Sequence, residues 1–166
     1  MRNNAVLFIV VHALNILMVS AFLILLHFAP PLERLFYGSM VFRLPIALLL
    51  FAPYVAAGKF FSKSPVTDTI ALWIVPAILW ALLLGIAYFG GGGETFLRGP
   101  FRSLWRLPAD TLMLPQIAAI RLLRLVPKPA VYAAFCVLPQ TAALFVAAVD
   151  DLRYQRRKRQ RIREKY

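Results

Sequence analysis

Four apolar runs, at about residues 5–28, 42–58, 70–89 and 130–149, each approach the ~20 residues that an α-helix needs to cross a bilayer. Hydrocarbon offers no water to exposed backbone groups, so a run of this kind must satisfy its own N–H and C=O groups and is expected to be helical. The expected fold is an all-α integral membrane protein with four transmembrane helices over residues 1–152, followed by a basic tail over 153–166. Pro30 and Pro31 close the first run, Lys59 and Lys63 the second, Gly90 to Gly93 the third, and Asp150 and Asp151 the fourth. The first run is too long for a signal-peptide core and no small-residue cleavage site follows it, so it reads as an uncleaved anchor. The second is the weakest span, being short and carrying Pro45 and Pro53.

Composition removes the main alternatives. The chain is 61% hydrophobic and 16% charged, against roughly a quarter charged in a soluble domain. A soluble enzyme is excluded on that ground, and a disulfide scaffold because Cys136 is the single cysteine. No HExxH, CxxC or P-loop pattern occurs, and the Gly90 to Gly93 run lacks the following lysine of a phosphate-binding loop. His12 and His27 lie on one predicted helix about 22 Å apart, too far to share a metal ion. No cofactor or metal is expected.

Four spans place both termini and the loop holding Lys59 and Lys63 on one side, with eleven basic residues against eight on the other. The positive-inside rule then puts both termini in the cytoplasm of a multi-pass protein of the cell (plasma) membrane. The tail, with eight basic residues and Glu164, is expected on the anionic inner leaflet, ahead of nucleic acid as a partner.

Residues 94–128 join the third and fourth spans and are no ordinary polar loop. Arg98, Arg102, Arg106, Arg121, Arg124 and Lys128 alternate with large apolar residues, and Pro100, Pro108 and Pro115 divide the segment. Arg102 and Arg106 are four apart, and Arg121, Arg124 and Lys128 fall at i, i+3 and i+7, so each set shares a helical face. The segment predicts an interfacial amphipathic helical hairpin, with helices at about 100–107 and 111–126 lying against headgroups and Trp105 at the aromatic belt. Its cations are expected to contact phosphates of anionic phospholipids or an acidic protein partner.

Within the spans, His12, Asn15, Ser20 and His27 form a polar stripe on the first helix, suited to interhelical hydrogen bonds or, on a sharper reading, a proton or ligand path. Pro53, Pro76 and Pro139 fall near the middle of three spans and are candidate hinges. In the fourth span Ala130 and Ala134, and Ala143 and Ala147, are spaced for close helix contact. Asp68 suits an N-cap of the third span, Asp150 and Asp151 fall at the expected end of the fourth, and Glu94 and Asp110 are solitary.

No site chemistry emerges, so the expected function is that of a non-enzymatic subunit or scaffold packing against a larger membrane protein. A small oligomeric transporter or channel component is the first alternative, with homo-oligomers as its signature, and an enzyme acting on a membrane lipid the second. The orientation is directly testable: a cytoplasm-active reporter fused after Tyr166 should be active, and activity only from an exported reporter would overturn the four-span topology.

Overall fold

The computed structural model describes residues 3–61, 66–97, 99–126 and 128–163, and among these all regular structure is helical. The helices are α1 (Asn4–Phe28), α2 (Pro30–Gly38), α3 (Met40–Leu49), α4 (Ala52–Gly58), α5 (Val66–Leu97), α6 (Leu107–Leu112), α7 (Leu114–Leu122) and α8 (Pro129–Arg163). Four stretches are long and apolar enough to cross a membrane: Asn4–Phe28, Met40–Gly58, Ile70–Gly93 and Ala130–Gln160. The second of these is two helices, α3 and α4, in series.

Local chemistry explains where the helices start and stop. Asn3 caps α1 by accepting from the N–H groups of Ala5 and Val6. Ala29 precedes Pro30 and is driven out of the helical region, to φ −126° and ψ 72°, which ends α1 and lets α2 begin on a proline. Ser39 then caps α3 through the N–H of Val41. The break between α3 and α4 falls at Leu50 and Phe51, just before Pro53, and α5 turns at Gly92, where φ is +73°.

The segment between α5 and α8 enters the bundle. Leu112, at the turn from α6 to α7, sits beside His12, sixteen residues before the end of α1 at Phe28, or about 24 Å along that helix. Arg124, just past α7, reaches back to the carbonyl of Tyr37 in α2, at the end of the bundle where α1 stops. The pair α6 and α7 therefore dips inward and returns to the same end. Leu114 to Ile120 and Leu122 are all buried, with α7 packed on α1, α3 and α8. This differs from two helices lying along a surface. The reason is visible in α7: it is apolar nearly all round, with Ala118 and Ala119 small enough for close approach, the pattern of an enclosed helix.

The main core joins Phe8 and Val19 of α1, Ala47 of α3, Tyr54 of α4, Leu72 of α5 and Ala118, Ala119 and Leu122 of α7. The outward faces carry Leu14, Leu17 and Met18 on α1 and Ile78, Leu82 and Ile86 on α5, all well exposed. Two expectations for acidic residues are corrected. The helix α5 begins at Val66, so Asp68 lies in its first turn and not at the N-cap, and α8 runs unbroken through Asp150 and Asp151, which are not at a helix end.

The tightest helix contact is α4 on α8. A Cβ built on Gly58 would stand 2.3 Å from the backbone oxygen of Ala143 and 3.0 Å from the Cβ of Val146, so only glycine permits this approach. Gly58→Ala should lower stability in detergent by about 1–3 kcal/mol. Gly38→Ala, where nothing lies within 4 Å, should be close to neutral. Equal unfolding midpoints for the two variants would refute this packing.

Candidate functional site

Two polar side chains of the predicted α1 stripe reach the interior. His12 Nδ1 lies 2.6 Å from the Tyr54 hydroxyl, and His12 Nε2 lies 2.8 Å from the Leu112 carbonyl oxygen. A carbonyl only accepts, so Nε2 carries the hydrogen; in the neutral ring Nδ1 then accepts from the Tyr54 O–H. Asn15 Nδ2 donates to the Leu50 carbonyl at 2.9 Å. Asn15 is 2% exposed and Tyr54 fully buried, and the Phe8 ring stacks on both His12 and Tyr54.

The two accepting carbonyls share a covalent context. Leu50 lies three residues before Pro53, and Leu112 three residues before Pro115. A helical carbonyl is ordinarily paired with the N–H four residues on, or three residues on in a tightened turn. Proline removes the second option. At Leu50 the first is lost too, because the Tyr54 N–H turns to the Phe51 carbonyl at 3.1 Å. Leu112 is the last residue of α6, where helical carbonyls have lost their intrahelical partners. His12 and Asn15, three residues apart on one helix face, thus supply the donors that two broken helices lack.

The remaining predicted residues are distributed as follows. Ser20 is half-buried, and His27 is exposed, edge-on to Phe28 at the end of α1. Of the prolines, Pro53 sits at a helix break, whereas α5 and α8 continue through Pro76 and Pro139. Next to Pro139, Gln140 is buried with Oε1 unpartnered, as is Gln116 on α7. Arg98 lies outside the described residues. Arg106 turns to protein, with Nε 2.9 Å from Asp110 Oδ1, while Asp110 Oδ2 accepts the Phe101 N–H at 2.7 Å. Arg121 lies over the Phe101 ring, 5.9 Å from its centroid. Arg124, at φ +53°, bonds the Tyr37 carbonyl. Burial pushes the Tyr37 phenol above its ordinary range, against the pull of the nearby Arg121 charge. Arg102 and Lys128 are exposed. Trp105 packs over Gly90, whose absent side chain leaves room for the indole ring.

Two participants escape sequence reasoning. Asp110 reads as solitary, yet its carboxylate is the hub between Arg106 and the Phe101 backbone; the i, i+4 spacing from Arg106 was the available signal. Arg43, one of the eight basic residues counted on the side away from the termini, is 8% exposed inside α3, with Nε unpartnered. Its position within the apolar run Met40–Leu49 was the sign.

Among the described residues, no three of His, Cys, Asp and Glu gather closely enough to hold a metal ion. Compared with protein-family models, curated proteins and solved structures, the chain matches none.

The pairing of Asn15 with the unpaired Leu50 carbonyl at the α3–α4 break makes a specific prediction. Asn15→Leu should destabilise the protein by about 1–2 kcal/mol, the cost of an orphaned buried carbonyl. The same change on top of Pro53→Ala should cost less, because without the ring the helix can continue and the Tyr54 N–H returns to the Leu50 carbonyl. A double-mutant cycle followed by unfolding in detergent measures this, and strict additivity would show that Asn15 does not serve that carbonyl.

Proposed function

We propose that this chain is a non-catalytic subunit or scaffold of a membrane complex, bound to a larger membrane protein through the outward face of α8. The observation that carries the reading is an open groove along that face, lined by Ala133, Ala134, Val137, Leu138, Thr141, Ala142 and Phe145, with a volume of about 570 Å³. Its floor is made of small residues that let another helix approach closely, and Phe145, 69% exposed, forms its wall. The one hydroxyl there is already used, since Thr141 Oγ1 donates to the Val137 carbonyl at 2.8 Å. The groove therefore asks for shape and apolar contact, the terms on which transmembrane helices associate. The hydrogen bonds of His12 and Asn15 support the same reading, because each is made to backbone that would otherwise be unpaired.

In this reading the protein lies in the cell membrane with both termini in the cytoplasm, as the distribution of basic residues favours. The exposed cations at the entrance of the α6–α7 pair stand at headgroup level and contact anionic phospholipids, although α7 itself is enclosed. A small oligomeric transporter component is the second reading. It draws on the meeting of two proline-broken segments at His12 and Asn15, because discontinuous helices around polar groups commonly mark a substrate site.

Filling the groove separates the two. Ala134→Trp with Ala142→Trp should abolish co-purification of a stoichiometric larger protein in mild detergent and leave the unfolding midpoint unchanged. The same bulk at Ile74, exposed on α5, should have no effect. A homogeneous homo-oligomer indifferent to the groove substitutions would reject the subunit reading in favour of the transporter.

A further inference from the structure

At the end of the bundle where the α6–α7 pair enters, a half-enclosed cavity of about 350 Å³ lies between Arg102, Arg121 and Tyr132. Its size is in the range of small-molecule sites. Its floor is apolar: Ile117 and Ile120 of α7, 3% and 2% exposed, with Leu125 beside them. We propose that this cavity is a saturable site for a phosphate group carrying an apolar tail, with Arg102 and Arg121 gripping the phosphate and the isoleucine floor receiving the first carbons of the tail.

Three observations carry this. First, the local carboxylate is already committed. Asp110 holds Arg106 and the Phe101 N–H, and neither Arg102 nor Arg121 forms an ion pair among the described residues, so two cations face the cavity with their charge unneutralised. Second, the site is preorganised. Phe101 sits at φ +60°, a conformation costly for a bulky residue, and the bond from its N–H to Asp110 holds it there. Its ring in turn lies under the Arg121 guanidinium and limits where that group can point. Third, the polarity is layered. Guanidinium groups, which match phosphate oxygens two at a time, stand over a floor with no polar side chain, the order in which an amphiphile presents its parts. A free anion would use the arginines and waste the floor.

The inference is independent of the α8 groove, which lies on another set of residues, and it assigns the phosphate contact to two of the basic residues of the segment. The test uses the full chain in nanodiscs of neutral phosphatidylcholine doped with phosphatidylglycerol, with bound lipid counted by native mass spectrometry. One phosphatidylglycerol should be retained at saturation, and Arg102→Ala or Arg121→Ala should weaken it roughly tenfold or more, as expected for charged hydrogen bonds. Lys128→Ala, outside the cavity, should weaken it less than about twofold, since it acts only at long range. Leu125→Trp fills the cavity and keeps every charge, and it should abolish retention; its unchanged unfolding midpoint guards against misfolding as the cause.

Inorganic phosphate, added at millimolar concentration, distinguishes the sources. Retention that resists it supports the amphiphile, whereas complete displacement would overturn the role given to the floor and leave a site for the free anion. Equal losses in all three charge variants, or retention in Leu125→Trp, would overturn the site altogether and leave only diffuse attraction to an anionic surface.

Discussion

Two backbone carbonyls with no helical partner govern how this bundle is put together. In a low-dielectric interior an unpaired carbonyl is costly; Leu50 loses the Tyr54 N–H to Phe51, Leu112 ends α6, and in both a proline three residues on removes the tightened-turn alternative. The donors come from one turn of α1, so the helix that packs there must present His12 and Asn15 together and at that depth. Register follows from this. A shift of α1 by one residue would turn both donors away by about 100°, leaving two orphaned carbonyls and two orphaned side chains at once. The apolar contacts around them, among Phe8, Val19, Leu50 and Tyr54, supply area but little preference for one register over another. The polar clasp supplies the preference.

A comparable device secures the outer end of the α6–α7 pair. Asp110 joins a side chain, Arg106, to a distant backbone group, Phe101, and Arg124 ties the exit of α7 to α2. The pair is thus fixed at its turn by His12 and at its mouth by Asp110 and Arg124. A short helix such as α7, nine residues long, has too few internal hydrogen bonds to hold itself; enclosure and these three attachments keep it in place.

Much of the architecture is legible in the sequence because long apolar runs leave the chain no alternative to helices. The four spans, the closing role of Pro30 and Pro31 and the turn in the glycine run all follow from composition and punctuation. The inward half of the polar stripe is also legible, since His12 and Asn15 share a face, although the 15-residue interval to His27 carries that residue out to the exposed end of α1. The fate of residues 94–128 is not legible. Arginine spacing suggested a surface, but the cations gather at the mouth of the pair while the intervening run, from Leu114 to Ile120, goes inside. Periodicity reports which residues share a face and cannot report that two half-helices fold back on each other. The partner of each carbonyl is equally invisible, because a proline announces that a bond is lost and not who replaces it.

The unbroken course of α8 has a mechanical consequence. From Asp150 to Arg163 the helix extends about 20 Å beyond the apolar stretch that ends at Val149. A headgroup layer takes up roughly the first 5–7 Å of that length, so the collinear rod carries its far end more than one Debye length, about 8 Å, beyond the headgroups. At 100° per residue Arg153, Arg156, Arg157 and Arg159, all exposed, fall within a sector of about 160°, so these charges run along one broad side of the rod. Collinear α8 is therefore a mast: because the helix does not break where the apolar stretch ends, the spacing of these charges along its axis is set by the helix rise and not by a flexible linker.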